Sequence, residues 1–208
     1  MSQPRIRILL IDDHFVVRMG LVAALSTESD FDIVAEAGTA AQAAAIVLEK
    51  EIDVAVLDWR MPDSHGAETI KTLRSAPHPP RVLVYSAHAA EEDVFLAINA
   101  GAHSYLEKTV SRSEIVAAIR DVYKGRQHLP KNIADKLVAR IGRSELSPRE
   151  TQVLGYIAKG MSNKEIAEAL GITPGTAKLH VLHIFTKLEV HDRSQAIANA
   201  LSRGLIQM

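Results

Sequence analysis

The sequence contains no cysteine. Disulfides and cysteine-ligated zinc are therefore excluded, and a reducing cytoplasm fits. No apolar run approaches the roughly 20 residues that a membrane-spanning helix needs, so no membrane partner is expected. The opening MSQPRIRILLIDDHF breaks a short apolar run with an acidic pair, unlike a signal peptide. A surplus of one charge is also missing. The net charge is −1, and residues 144–208 carry seven Lys/Arg against six Asp/Glu. Bulk charge gives no argument for nucleic acid, so such a claim needs a local motif. What remains is an ordinary globular composition, 47% hydrophobic and 24% charged over 208 residues. That is enough chain for a sizeable core in one large domain or two modest ones.

The first 124 residues alternate between short β-branched runs and helical patterns. Ile6–Ile11, Phe31–Ala35, Val54–Leu57, Val82–Tyr85 and His103–Leu106 read as strands. They are nearly all apolar, as strands covered on both faces are. Helical stretches fall near 14–26, 40–50, 65–75, 91–100 and 111–124, the last with Ser111 and Glu114 as a capping box. Five such repeats predict an α/β fold: a parallel sheet with helices on both faces. Residues 125–143 are polar and read as a linker, with a short helix at 132–141. From 144 to 208 every segment is helical. Ser147-Pro148-Arg149-Glu150, Ser162 with Glu165, Thr173-Pro174 and Asp192 each open a helix, which predicts a compact four-helix domain.

Asp12 and Asp13 end the first strand and Asp58 ends the third. In an open parallel sheet the carboxyl edge is where ligands bind, and neighbouring strands lie about 5 Å apart. Three converging carboxylates call for a cation, and oxygen-only donors suit Mg²⁺. Ser86 closes the fourth strand and Lys108 follows the fifth, so a hydroxyl and an ammonium reach the same edge. That set can hold a phosphoryl group, with Asp58 as nucleophile in an acyl phosphate.

Asp12-Asp13, Asp58-Trp59-Arg60-Met61-Pro62, Ser86-Ala87 and Tyr105-Leu106-Glu107-Lys108 resemble the signature of receiver domains across residues 5–124. The resemblance implies a doubly wound, flavodoxin-like sheet of strand order 2-1-3-4-5. It implies that Asp13, Asp58 and the Arg60 carbonyl ligate Mg²⁺, with Asp12 acting partly through water. It also implies a histidine kinase as phosphoryl donor, and a switch in which Ser86 is drawn to the phosphoryl group and Tyr105 turns inward. Arg60 and His88 depart from the commonest pattern and would flank the path of a hydrolytic water. Trp59 reads as a core aromatic with its N–H on a partner.

In the second half, Asn163–Leu170, the turn Gly171-Ile172-Thr173 and Pro174–Leu188 read as a helix-turn-helix. Ile166, Ala167, Leu170 and Ile172 form its expected elbow. Ala177, Val181, Ile184 and Leu188 share one helical face, which turns Lys178, His180, His183 and Lys187 outward, toward a major groove. His180 and His183 lack a third ligand, so phosphate contact or solvent is the reading for both. The stretch LSPRETQVLGYIAKGMSNKEIAEALGITPGTAKLHVLHIFTKLEVHDRSQAIANA resembles the LuxR-type output domain of NarL/FixJ response regulators. By that resemblance Thr176, Lys178, Leu179 and Leu182 enter the groove of double-stranded DNA. Leu182 stands where many members carry Lys or Arg, so contact with thymine methyls is expected there.

Together these readings predict a phosphorylation-switched transcription factor rather than a metabolic enzyme, dimeric when phosphorylated. An aspartate-nucleophile phosphatase needs a second Asp two residues after the nucleophile, where this chain has Arg60. A vestigial receiver would not keep the acids together with Ser86 and Lys108. Dimerisation is expected through the first and fifth helices, or through the last helix with Ile197, Ala200 and Leu201.

Overall fold

The computed structural model describes residues 5–141 and 146–206. The chain divides into two compact units. One takes the residues up to Ala89 together with Asp93–Lys136, and the other takes Ala90–Glu92 and the residues from Leu137 onward. The segment expected as linker is therefore split, and its first half belongs to the first unit. Its end at 142–143, and the expected start of the last domain at 144, lie outside the described residues.

The first unit alternates β1 (Ile6–Ile11), α1 (Phe15–Leu25), β2 (Phe31–Ala37), α2 (Ala40–Glu49), β3 (Val54–Leu57), α3 (Gly66–Arg74), β4 (Arg81–Ser86), α4 (Glu91–Ala100), β5 (Ser104–Glu107) and α5 (Arg112–Tyr123). The strands form one parallel sheet in the order β2-β1-β3-β4-β5. Ile8, Leu9, Leu10, Val54, Ala55, Leu57, Val82, Leu83 and Val84 are fully buried, since helices cover both faces. β2 differs from the sequence reading. It runs two residues further and is half-exposed along its middle, because it is an edge strand. Ser111 caps α5 by accepting the Glu114 N–H at 3.2 Å, but among the described residues the reciprocal half of that capping box is not formed. Past α5, Ser104 Oγ donates to the His128 carbonyl at 2.6 Å and the two residues bridge, which lays the chain along the β5 edge.

α6 (Lys131–Ile141) leads to α7 (Pro148–Ala158), α8 (Asn163–Leu170), α9 (Pro174–Leu188) and α10 (Arg193–Arg203). α7 and α8 open on complete capping boxes, Ser147 with Glu150 and Ser162 with Glu165. Asp192 caps α10 by accepting from Gln195 N–H at 2.8 Å. Gly171 ends α8 with φ at 62°, the left-handed conformation that a tight turn into α9 requires. Val153, Leu154, Ile157, Ile166, Ala167, Ala177, Val181, Ile184, Leu188, Ala196 and Ala200 make one core, with Leu170 and Ile172 packed against it. Among the described residues no helix is long and apolar enough to cross a membrane.

Candidate functional sites: an acid cluster and a helix-turn-helix

The acid cluster is a product of sheet topology. β1 and β3 are hydrogen-bonded neighbours, in register from Ile8 with Val54 to Ile11 with Leu57. Each strand's next residues therefore emerge side by side at the carboxyl edge. Asp12 and Asp58 are both buried there, whereas Asp13 is more open. Lys108, delivered by β5, reaches across to both: its Nζ lies 2.6 Å from Asp12 Oδ2 and 2.8 Å from Asp58 Oδ2. Ligand atoms of Asp12, Asp13, His14 and Asp58 lie within 4.8 Å of one another. His14, which sequence reasoning passed over, sets its Nδ1 2.8 Å from Asp13 Oδ1 and 3.3 Å from Asp12 Oδ1. Its position directly after the acid pair was the available signal.

The electrostatics are unbalanced. One ammonium serves two buried carboxylates. Burial pushes the Asp58 carboxyl above its usual range, and Asp12 adds to this, against the pull of Lys108. Burial also acts to lower the Lys108 ammonium, but its bonds to Asp12 and Asp58 outweigh that and raise it. Among the described residues Asp58 Oδ1 has only a long contact, 3.4 Å, with the Arg60 N–H. Carboxylate oxygens packed this closely are a donor set for a small hard cation, so the residues present fit Mg²⁺.

Ser86 is buried at the end of β4, and its Oγ meets the His88 N–H at 3.4 Å. Tyr105 already lies inward. It is fully buried, its hydroxyl donates to the His88 carbonyl at 2.7 Å, and burial pushes its phenol far up. Trp59 is a core residue, edge-on to His65 and tilted against Tyr105. Among the described residues its indole N–H donates to none. Gly66 makes room for it, since a Cβ there would stand 2.3 Å from the Trp59 ring. Arg60 is half-exposed, its Nη2 3.9 Å from the buried Asp93, and His88 is exposed.

In the second unit α9 buries Ala177, Val181, Ile184 and Leu188, as its spacing predicts. Lys178 and His183 are exposed, and Leu179 and Leu182 are 56% and 57% exposed. Thr176 and His180 are half-buried. Lys187 corrects the expected outward set. Its Nζ turns back to Glu150 Oε2 at 2.7 Å, and Glu150 is buried. Burial would push the Glu150 carboxyl up, but Lys187 and the Ser147 N–H and hydroxyl overcome this and hold it down at about 2. No sequence pattern links residues 37 positions apart, so this pair was invisible beforehand. The apolar stripe of α10 is largely consumed within the domain: Ala196 and Ala200 are fully buried, and Ile197 packs on the same core.

Residues 8–120 match the response regulator receiver domain family, and residues 144–200 match the luxR family of bacterial regulatory proteins. The transcriptional regulatory protein LiaR of Bacillus subtilis is 37% identical over 97% of this chain and 99% of its own length. The response regulator protein VraR of Staphylococcus aureus is also 37% identical, with the same coverage. This chain is a LuxR-type response regulator. Response regulator ChrA of a heme-sensing two-component system gives a structural match with TM-score 0.59 at 36% identity, covering 98% of this chain and all of that one. RcsB of Salmonella enterica reaches TM-score 0.74 at 20% identity over 95% of this chain and 98% of its own, a likeness of fold. The molecule is thus a two-component transcriptional regulator with a DNA-binding output domain, not a metabolic enzyme.

Proposed function

We propose that Asp58 accepts a phosphoryl group from a histidine kinase, and that this switches a dimer onto DNA. The convergence of Asp12 and Asp58 on Lys108 Nζ at the sheet edge carries this reading. An Asp58 carboxylate oxygen attacks phosphorus and forms the P–O bond as the bond to the donor's leaving group breaks. Lys108 pulls against the burial that raises the Asp58 carboxyl, and its ammonium then faces the phosphoryl oxygens. Asp13, Asp58 and the Arg60 carbonyl would hold Mg²⁺, with Asp12 beside them. When bound, the cation neutralises the acids and screens the charge of the incoming group. Ser86 closes on the new phosphoryl oxygens, and Tyr105, already inward on the His88 carbonyl, reports that movement to its surroundings.

In the output domain Thr176, Lys178, Leu179, His180, Leu182 and His183 face the major groove, with the two leucines against thymine methyls. Lys187 acts first as the partner of Glu150 and reaches DNA only at the margin. A single recognition helix binds weakly, and joining two raises affinity by avidity. The active species is a cytoplasmic homodimer on two half-sites about one helical turn apart. Phe15, Val16 and Met19 leave α1 62%, 78% and 53% exposed at those positions, which favours α1 over α10 as the contact. Footprinting the protein treated with acetyl phosphate and Mg²⁺ tests the reading. Two protected half-sites are expected, and protection of one isolated half-site by one protomer contradicts the dimer.

A further inference from the structure

A helix leaves its first four N–H groups without partners. At the start of α2, Thr39 answers for one of them, accepting from Gln42 N–H at 3.1 Å. The first turn of α2 contains no acid of its own. Two more N–H groups are taken by a residue from a different loop. Asp63 Oδ1 accepts from Ala40 at 3.0 Å and Oδ2 accepts from Ala41 at 3.2 Å. Those two bonds hold the Asp63 carboxyl below its usual range. The favourable helix dipole adds to the attraction.

The two ends of this tie both lead to the acid cluster. α2 follows the end of β2, where the Ala37 carbonyl accepts the Asp12 N–H at 3.1 Å. The start of α2 is thus fixed in the frame of the Asp12-Asp13 turn. Asp63 itself belongs to the loop that leaves Asp58. That loop is closed on its other side by the Arg60–His65 bridge and by Trp59 packed over Gly66. It carries the Arg60 carbonyl.

We infer that Asp63 is a positioning residue, which ties the Arg60 loop to α2 and so sets divalent-cation affinity at the cluster of Asp12, Asp13 and Asp58. This rests on the metal-site reading above. Groups that orient the ligands of a metal site change its affinity about 10- to 100-fold when removed. Capping α2 is a separate effect, because any acid in the first turn can satisfy a helix start.

The experiment separates the two effects in the full-length protein. Mg²⁺ is titrated while the emission of Trp59 and the amide chemical shifts of residues 11–14 and 58–60 are followed. Asp63→Ala is expected to weaken Mg²⁺ binding on the order of tenfold and to lower the thermal midpoint. Adding Ala41→Glu on the exposed start of α2 is expected to restore the midpoint but not Mg²⁺ affinity. Asp63→Asn keeps an acceptor and falls between wild type and Asp63→Ala in affinity. Wild-type Mg²⁺ affinity in Asp63→Ala, or its recovery in the double variant, overturns the tie. A wild type without a saturable response overturns the metal-site reading, and this inference with it.

Discussion

Both halves of the molecule bury a lysine–carboxylate pair, and the two pairs behave in opposite ways. In the output domain Glu150 Oε2 accepts from both Lys187 Nζ and the Ser147 N–H at 2.7 Å, and His183 Nδ1 stands 4.0 Å from Oε1. The Glu150 pKa falls to about 2, the mark of a charge the fold has fully answered. In the receiver Lys108 is shared by Asp12 and Asp58, Asp13 stands nearby, and the Asp58 carboxyl is raised. On the function proposed above, the same chemical groups make a structural clamp where charges are matched and a phosphoryl-accepting centre where they are not. A buried excess of carboxylates is offset when a cation enters, which makes such a cluster a candidate functional site.

The clamp gives the largest effect on stability. Lys187→Met strands the Glu150 carboxylate in the core and is expected to cost about 2–3 kcal/mol, below the usual cost for a fully buried pair because Lys187 is partly exposed. Differential scanning calorimetry of the full chain measures this as a fall in the output-domain transition. The pH dependence follows from the sign of the shift. Glu150 drops from 4.5 to about 2 on folding, so its contribution is full above pH 4.5 and is lost as pH falls toward 2. Up to about 3 kcal/mol is at stake across that window. Glu150→Gln is expected to flatten the pH profile there, and an unchanged profile would break the contrast between the two pairs.

A second effect, about 1–3 kcal/mol, is expected in the receiver from Gly66→Ala, whose new methyl collides with Trp59. A shift in Trp59 emission accompanies it, because the ring sits in the loop beside Asp58. Asp58→Asn moves stability the other way. It removes an acid whose raised pKa signals an unfavourable buried charge, and a gain in stability is expected. Thermal melts without Mg²⁺ check this, and a loss of stability would mean that Asp58 is as well matched as Glu150. The smallest effect lies at the surface of α9. Leu182→Lys is expected to leave stability within about 0.5 kcal/mol and to steepen the salt dependence of DNA binding by about one unit of slope.

The fold was legible because a parallel sheet buried on both faces writes its strands as apolar runs, as Val54–Leu57 does. Helix starts were legible from local chemistry: Ser147, Ser162, Thr173 and Asp192 all cap as read. The acid cluster was legible because strand ends in such a sheet converge, so position in the pattern implies proximity in space. The exposure of β2 was not, since edge position depends on strand order and not on the strand's own residues. Lys187, Gly66 and Asp63 were missed for a related reason. Each acts through a partner brought near only by tertiary packing, and polar spacing on α9 reads Lys187 as outward whether or not Glu150 lies beneath it.

The comparison rests on one assignment, that the unmatched acid at the sheet edge is the one that reacts. Full-length wild type, Asp58→Asn and Glu150→Gln are incubated with acetyl phosphate and Mg²⁺ and weighed intact. One added phosphoryl group is expected on wild type and on Glu150→Gln, and none on Asp58→Asn. A phosphoryl group on Asp58→Asn, or its absence from wild type, would contradict the account.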